Sequence, residues 1–190
     1  MRSKLVLAAL IVLSTLPVFA QVAPAAKISG IPLGVGVGIS DYGLDYGQGR
    51  RMIGISAWAD YTVWHGLGIA AEGTSIFAAK PSSLTRMKQD TIKGGLIYKP
   101  HEIYHLHPYV KGLVGLGSID FPSHNPLYTH DTYSMFAAGG GLEYRVWNTI
   151  YVRGDYEYQF WSNFHGKHTL EPSGVTIGAT YYLRGIHRHY

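Results

Sequence analysis

Eight stretches of this chain alternate residue by residue between apolar side chains and small or polar ones, which dictates extended strands with two chemically different faces. The clearest is Leu33 to Ser40, where Leu33, Val35, Val37 and Ile39 share one face and Gly34, Gly36, Gly38 and Ser40 the other. The pattern returns over Ile53 to Val63, Leu67 to Thr74 and Thr91 to Tyr98. It recurs again over Tyr109 to Gly117, Phe136 to Val146, Ile150 to Phe160 and Val175 to Leu183. A helix repeats every 3.6 residues and would scatter this alternation around its circumference.

Composition decides which face is out. A water-soluble barrel wets its polar face and crowds it with Lys and Glu, whereas here that face carries mostly Gly, Ser and Thr with a few charges of both signs. Charged residues make up 15% of the chain, against about 25% in soluble domains. Small side chains suit a narrow interior, because eight strands leave just enough room for side chains. The broad, aromatic-rich apolar face suits lipid. The fold class expected is therefore all-β: an eight-stranded antiparallel up-and-down transmembrane β-barrel.

The connections agree. Strands two and three join through His65-Gly66, six and seven through Trp147-Asn148-Thr149, and four and five through the longer Lys99 to His107. The other links, Asp41 to Arg51, Ala78 to Asp90, Ile119 to Thr132 and Trp161 to Ser173, are long. Short turns on one side and long loops on the other are the outer-membrane arrangement, with short turns periplasmic. Tyr61, Trp64, Tyr98, Tyr144, Trp147, Tyr151 and Tyr181 fall near the short-turn end and read as an interfacial girdle. Open sheet edges are not tolerated in hydrocarbon, so the first and last strands must pair.

Residues 1–20 read as a signal peptide: Arg2 and Lys4, then the apolar run Leu5 to Leu13, then a small residue at Ala20. That run is too short to span a bilayer as a helix. The barrel domain is expected over 21–183, with a short tail at 184–190. Losing Arg2 and Lys4 lowers the formal charge from +4 to +2, which gives no electrostatic case for nucleic-acid binding. There is no Cys, so disulfides and thiolate metal sites are excluded.

Three segments taken together, Pro108 to Gly117, Gly139 to Arg145 and Val152 to Tyr158, resemble the OmpA/opacity-type outer-membrane barrel family, with Gly174 to Leu183 similar to its closing strand. The resemblance spans essentially all of the mature chain. It implies export to the outer membrane of a diderm bacterium, where outer-membrane lipids and lipopolysaccharide surround the barrel. It also implies insertion by the barrel-assembly machinery; separately, the long Tyr-bearing loops are expected to be where an extracellular ligand would be contacted. Two departures stand out: Arg184 to Tyr190 follow the closing strand, and no peptidoglycan-binding domain is expected after it.

The candidate site is a lumen charge network of Asp60, Glu72, Lys93, Lys111, Glu143, Arg145, Arg153, Asp155 and Glu157. Unpaired charges in a narrow interior are costly, so these are expected to pair across strands and plug the tube. A narrow solute pore is the alternative. His101, His105, His107, His187 and His189 match no ligand spacing, so no metal and no other cofactor is expected. Ser162, His165, His168 and Glu171 could in principle form a nucleophile–base–acid set, as in lipid A-modifying barrels, but no motif surrounds them and no catalytic residue is assigned. The glycines of Gly34 to Gly38 and Gly112 to Gly117 precede no helix and are strand glycines that make room for bulky neighbours. What remains for function is the external end, where Tyr42, Tyr46, Phe121, Tyr128 and His130 fit adhesion-like contacts. A structural or surface-interaction role, without enzymatic activity, is the expectation.

Overall fold

The computed structural model describes residues 33–43, 51–78, 87–120, 130–164 and 168–183. The expected signal peptide, the tail at 184–190, the loop residues Tyr46, Phe121, Tyr128 and His165, and the His130 and His168 side chains lie outside them. Nine strands are described: β1 (Leu33–Gly43), β2 (Arg51–Trp64), β3 (Leu67–Ala78), β4 (Lys88–Tyr98), β5 (Leu106–Asp120), β6 (His130–Arg145), β7 (Ile150–Phe164), β8 (His168–Leu170) and β9 (Ser173–Tyr182). Eight of them form the wall, each antiparallel to its neighbours, in the order β1 to β7 and then β9. β8 is a three-residue stub paired with the end of β7. The first and last staves pair from Gly34↔Tyr182 to Gly43↔Ser173, which closes the tube.

Burial alternates along every stave with the sense the sequence demands. Val37, Ile55, Ile92, Val114 and Ile177 are between 63% and 69% exposed, while Asp60, Glu143 and Arg153 are 1% exposed. Apolar groups face out and charges face in, the reverse of a soluble protein. Such a surface is stable only against hydrocarbon, and the closed ladder leaves no stave edge unpaired there.

The turn end is built from tight connections. His65 and Gly66 both have positive φ (46° and 86°), the left-handed pair of a two-residue hairpin whose twist matches the strands. Tyr104 and His105 repeat this at φ 48° and 68°, clamped by reciprocal 2.9 Å hydrogen bonds between Ile103 and Leu106. The longer β4–β5 connection is therefore a small hairpin of its own.

Two sequence expectations are corrected here. The staves run further than the alternation suggests, so Tyr42 lies in β1 with its side chain 2% exposed inside the tube, not in a loop. Backbone pairing continues past the point where outward side chains turn polar, because the ladder needs only a neighbouring strand. Tyr151 is also no girdle residue. It is 6% exposed, shares the inward face of β7 with Arg153, and packs edge-on to Tyr182 at 4.8 Å between ring centres. Tyr61, Trp64, Tyr98, Tyr144, Trp147 and Tyr181 do face outward.

Glycine and bulk are paired inside. A methyl group on Gly36 would collide with the Trp58 indole, one on Gly117 with Trp161, and one on Gly174 with the Tyr42 ring. The outward Gly154 has nothing within 4 Å of such a group. Gly36→Val is therefore expected to lower the unfolding free energy by about 2 kcal/mol through overpacking, and Gly154→Ala to leave it within experimental scatter. The check is the urea midpoint of the detergent-refolded protein, read by heat-modifiable migration on a gel.

Candidate functional site

The period of two places chemistry in columns on the inner wall. Arg153, Asp155, Glu157, Gln159 and Trp161 stack along β7, while Tyr109, Lys111 and Leu113 stack along β5. Because the tube is narrow, columns from non-adjacent staves meet across it, and the result is a packed interior in three tiers.

The tier nearest the turns centres on Lys99. Its Nζ donates to Asp60 at 3.1 Å, to both oxygens of Glu143 at 3.1 and 3.2 Å, and to the Tyr182 hydroxyl at 2.7 Å. Tyr182 in turn donates to Glu143 at 2.7 Å.

Arg153 forms the middle tier with Lys111 and Lys93. Its guanidinium donates to Asp60 at 2.9 Å, Glu72 at 3.1 Å, Asp155 at 2.9 Å and the Tyr109 hydroxyl at 2.6 Å. It is sandwiched between the Trp58 and Tyr109 rings at 4.6 and 4.5 Å, where the π faces favour a cation removed from water. Lys111 reaches Glu72 at 2.7 Å, Asp155 at 2.8 Å and Glu157 at 3.0 Å. Lys93 pairs with Glu157 and lies 3.5 Å from Glu72.

Towards the loop end the interior turns neutral. Gln159 donates to Glu157 at 2.8 Å and accepts the Trp161 indole N–H at 2.9 Å. Beyond it Met52, Ile76, Met87, Ile119, Met135, Trp161 and Leu170, none more than 4% exposed, form an apolar cap. On one side Ser40 is hydrogen-bonded to Thr176 at 2.8 Å and Ser56 at 2.6 Å, and Ser56 to Thr74 at 2.8 Å, a ladder of hydroxyls crossing β9, β1, β2 and β3.

Of the charges read from sequence, Asp60, Glu72, Lys93, Lys111, Glu143, Arg153, Asp155 and Glu157 come together here. Arg145 does not. It lies at the turn-end mouth, its side chain 34% exposed, 3.5 Å from Glu102 and 2.8 Å from His105 Nδ1, because it is the last residue of β6 and points past the packed interior. Lys99 was missed, having been read as a turn residue. The signal was present, since Gln89, Thr91, Lys93 and Lys99 share one parity and the inward face continues past Tyr98. These described residues bring five carboxylates and four cations into one unit that spans the tube.

The other candidates fall outside it. His105 and His107 approach Glu102 at 3.5 and 3.6 Å, and among the described residues no three His, Asp or Glu side chains converge as metal ligands would. Ser162 is exposed on the outer wall, and Glu171 accepts from Tyr158 at 2.5 Å and Thr169 at 3.3 Å.

The chain matches the family described as "Outer membrane protein beta-barrel domain" over residues 6–182. Among solved structures it is similar to Neisserial surface protein A, at TM-score 0.66 and 14% identity, covering 80% of this chain and 96% of that one. It is also similar to Ail, the attachment invasion locus protein of Yersinia pestis, at TM-score 0.54, 13% identity and coverage of 80% and 98%. OprG of Pseudomonas aeruginosa follows at TM-score 0.51, 14% identity and coverage of 80% and 96%. At these identities the likeness concerns the fold. A search of curated protein sequences returned no match.

Removing one partner of a buried ion cluster strands its counter-charges, whereas an exposed pair contributes little. Arg153→Met should therefore destabilise the barrel by about 3–5 kcal/mol, and Arg145→Met by less than about 1 kcal/mol. Equilibrium unfolding in detergent micelles, followed by tryptophan fluorescence, measures both.

Proposed function

Because the chain belongs to the outer membrane protein β-barrel domain family, we propose that it is a sealed, non-enzymatic barrel that serves as a rigid base for binding at the cell surface. The observation that carries this reading is the continuous filling of the lumen, from Lys99 and Glu143 at the turn end to the apolar cap around Trp161. An ion entering from the loop side meets Met and Trp side chains that offer it no ligands. One entering from the turn side meets five carboxylates already paired with four cations. A solute pore needs a continuous wet path, and a bore occupied by ion pairs and an apolar cap argues against one.

With the interior committed to packing, the parts free to meet partners are the long connections at the loop end. The sequence places Tyr46, Phe121 and Tyr128 there, whereas His130 opens β6 opposite Asp120, and aromatic side chains on rigid supports bind partners at low entropic cost. Sharing a fold with a neisserial surface protein and an attachment protein of Yersinia is in keeping with this role, although the argument rests on the lumen.

Two results are expected. Planar-bilayer recordings of the purified protein show no stable conductance, and a steady open channel overturns the sealed-lumen reading. Replacing residues 121–129 with a four-residue turn leaves heat-modifiable folding intact and abolishes the adherence of expressing cells to host-cell or matrix-coated surfaces. Undiminished adherence overturns the surface-binding reading.

A further inference from the structure

Outside the packed interior, the turn end carries a second group of charges where the β4–β5 hairpin meets the end of β6. Tyr104 and His105 hold the hairpin tip at φ 48° and 68°, a conformation that non-glycine residues keep only where their neighbours enforce it. The neighbour here is Arg145. Its backbone amide donates to the His105 carbonyl at 3.2 Å, and its Nη2 lies 2.8 Å from His105 Nδ1. Glu102 completes the join. Its Oε1 is 3.5 Å from both Arg145 Nη2 and His105 Nδ1, and its Oε2 is 3.6 Å from His107 Nε2.

Donor and acceptor roles decide the protonation of this join. A guanidinium only donates, so His105 Nδ1 must accept from it, which the neutral imidazole alone can do. His107 Nε2 is buried without a hydrogen-bond partner, and its ring lies edge-on to Tyr151 at 5.3 Å. Arg145 also reaches Tyr151 on β7. Deeper in the mouth, Lys99 at the end of β4 is bound to Glu143 on β6 at 3.1 Å and to Tyr182 on β9 at 2.7 Å. Glu143 is therefore occupied, and the join relies on Glu102.

We propose that the β4–β5 hairpin is a latch released by acid, in which protonation of His105 and His107 draws Glu102 onto its own hairpin and frees Arg145. An imidazolium has no acceptor, so a proton on His105 abolishes the bond from Arg145 and sets two cations against each other at 2.8 Å. Each imidazolium already lies within 3.6 Å of Glu102, and together they compete with Arg145 for it. The join passes from one cation facing one carboxylate to three cations facing it. What remains of Arg145's hold on the hairpin is then one backbone bond at the His105 carbonyl. Histidine is the side chain that changes charge between about pH 5 and 8, and short turns of such barrels face the periplasm. The latch depends neither on a sealed lumen nor on what the long loops bind.

Hydrogen exchange of the Arg145 amide reads the latch directly, because that amide donates to the His105 carbonyl. It would be followed by NMR on the full mature protein in phospholipid nanodiscs, at about pH 7.5 and about pH 5.5, with each rate divided by the intrinsic rate at that pH. Protection of Arg145 is expected to fall about fivefold at the lower pH, as for loss of a partly exposed hydrogen bond to a charged group, while the amides of β9 hold theirs. His105→Asn supplies an oxygen that accepts from Arg145 without titrating, on a residue type that tolerates positive φ. It is expected to keep the protection at both pH values. Should His105→Asn fail to refold, Arg145→Met gives the complementary reading, low protection with no response to pH. Unchanged protection in the wild type, a pH response undiminished in His105→Asn or in Arg145→Met, or a parallel loss along β9 would each overturn the proposal.

Discussion

The structure depends on one constraint: charges enclosed by a narrow tube can be neutralised only by charges on other staves. Arg153 shows how this is met. Its guanidinium touches Asp60 on β2, Glu72 on β3, Tyr109 on β5 and Asp155 on its own strand, so one side chain ties four staves together through the axis. Taking a guanidinium out of water costs several kcal/mol, and a single carboxylate does not recover that. Three carboxylates, a phenol and two aromatic faces do. The ladder closes the cylinder around its circumference, and the ion cluster braces it across its diameter.

That bracing sets the distribution of size inside. Eight staves leave a bore too narrow for large side chains on every strand, so each large group takes space that a neighbour must give up. Trp58 lies against Gly36, Trp161 against Gly117 and Tyr42 against Gly174. These three inward glycines are thus the complement of an aromatic-filled bore. On the outside the same economy has a different result. Where small residues coincide on both faces of the wall, as at Gly38, Ala57, Gly73 and Gly178, the barrel is hollowed from without, and the surrounding lipid must conform to it.

Much of this was legible in the sequence, and the reason is geometric. A period of two assigns every residue of a strand to one of two sides, so identifying the oily side also identifies the interior. Asp60, Lys111 and Glu157 were placed inside on parity alone. Local composition misleads where it competes with parity. Tyr151 was counted with the girdle because aromatics gather near the turns, although its alternation with Val152 already turned it inward. Lys99 does follow the last residue of β4, but its amide still donates to the Gly66 carbonyl at 2.8 Å, so its side chain keeps the inward parity that a turn residue is not expected to have. Arg145 has inward parity but lies at the strand's end, where distance along the axis decides, and parity holds no information about depth. Pairings between non-adjacent staves, such as Arg153 with Asp60, depend on which residues share a level across the tube. The shear of the barrel sets that, and no single strand records it.

The two ends of the interior are packed by unlike means. Near the turns the filling is ionic, so an arriving ion could enter only by exchanging with a member of the cluster. Near the loops it is apolar, so an arriving ion would lose its hydration and find no replacement ligand among Met52, Met135 and Trp161. A rearrangement that opens one end leaves the other shut, because exchanging ion pairs does nothing to methionine packing and parting the apolar cap does nothing to the salt bridges. Passage through the bore would require both at once. The interior therefore braces the wall, and the surface-binding role we propose falls to the external connections, which can vary without disturbing what holds the wall together.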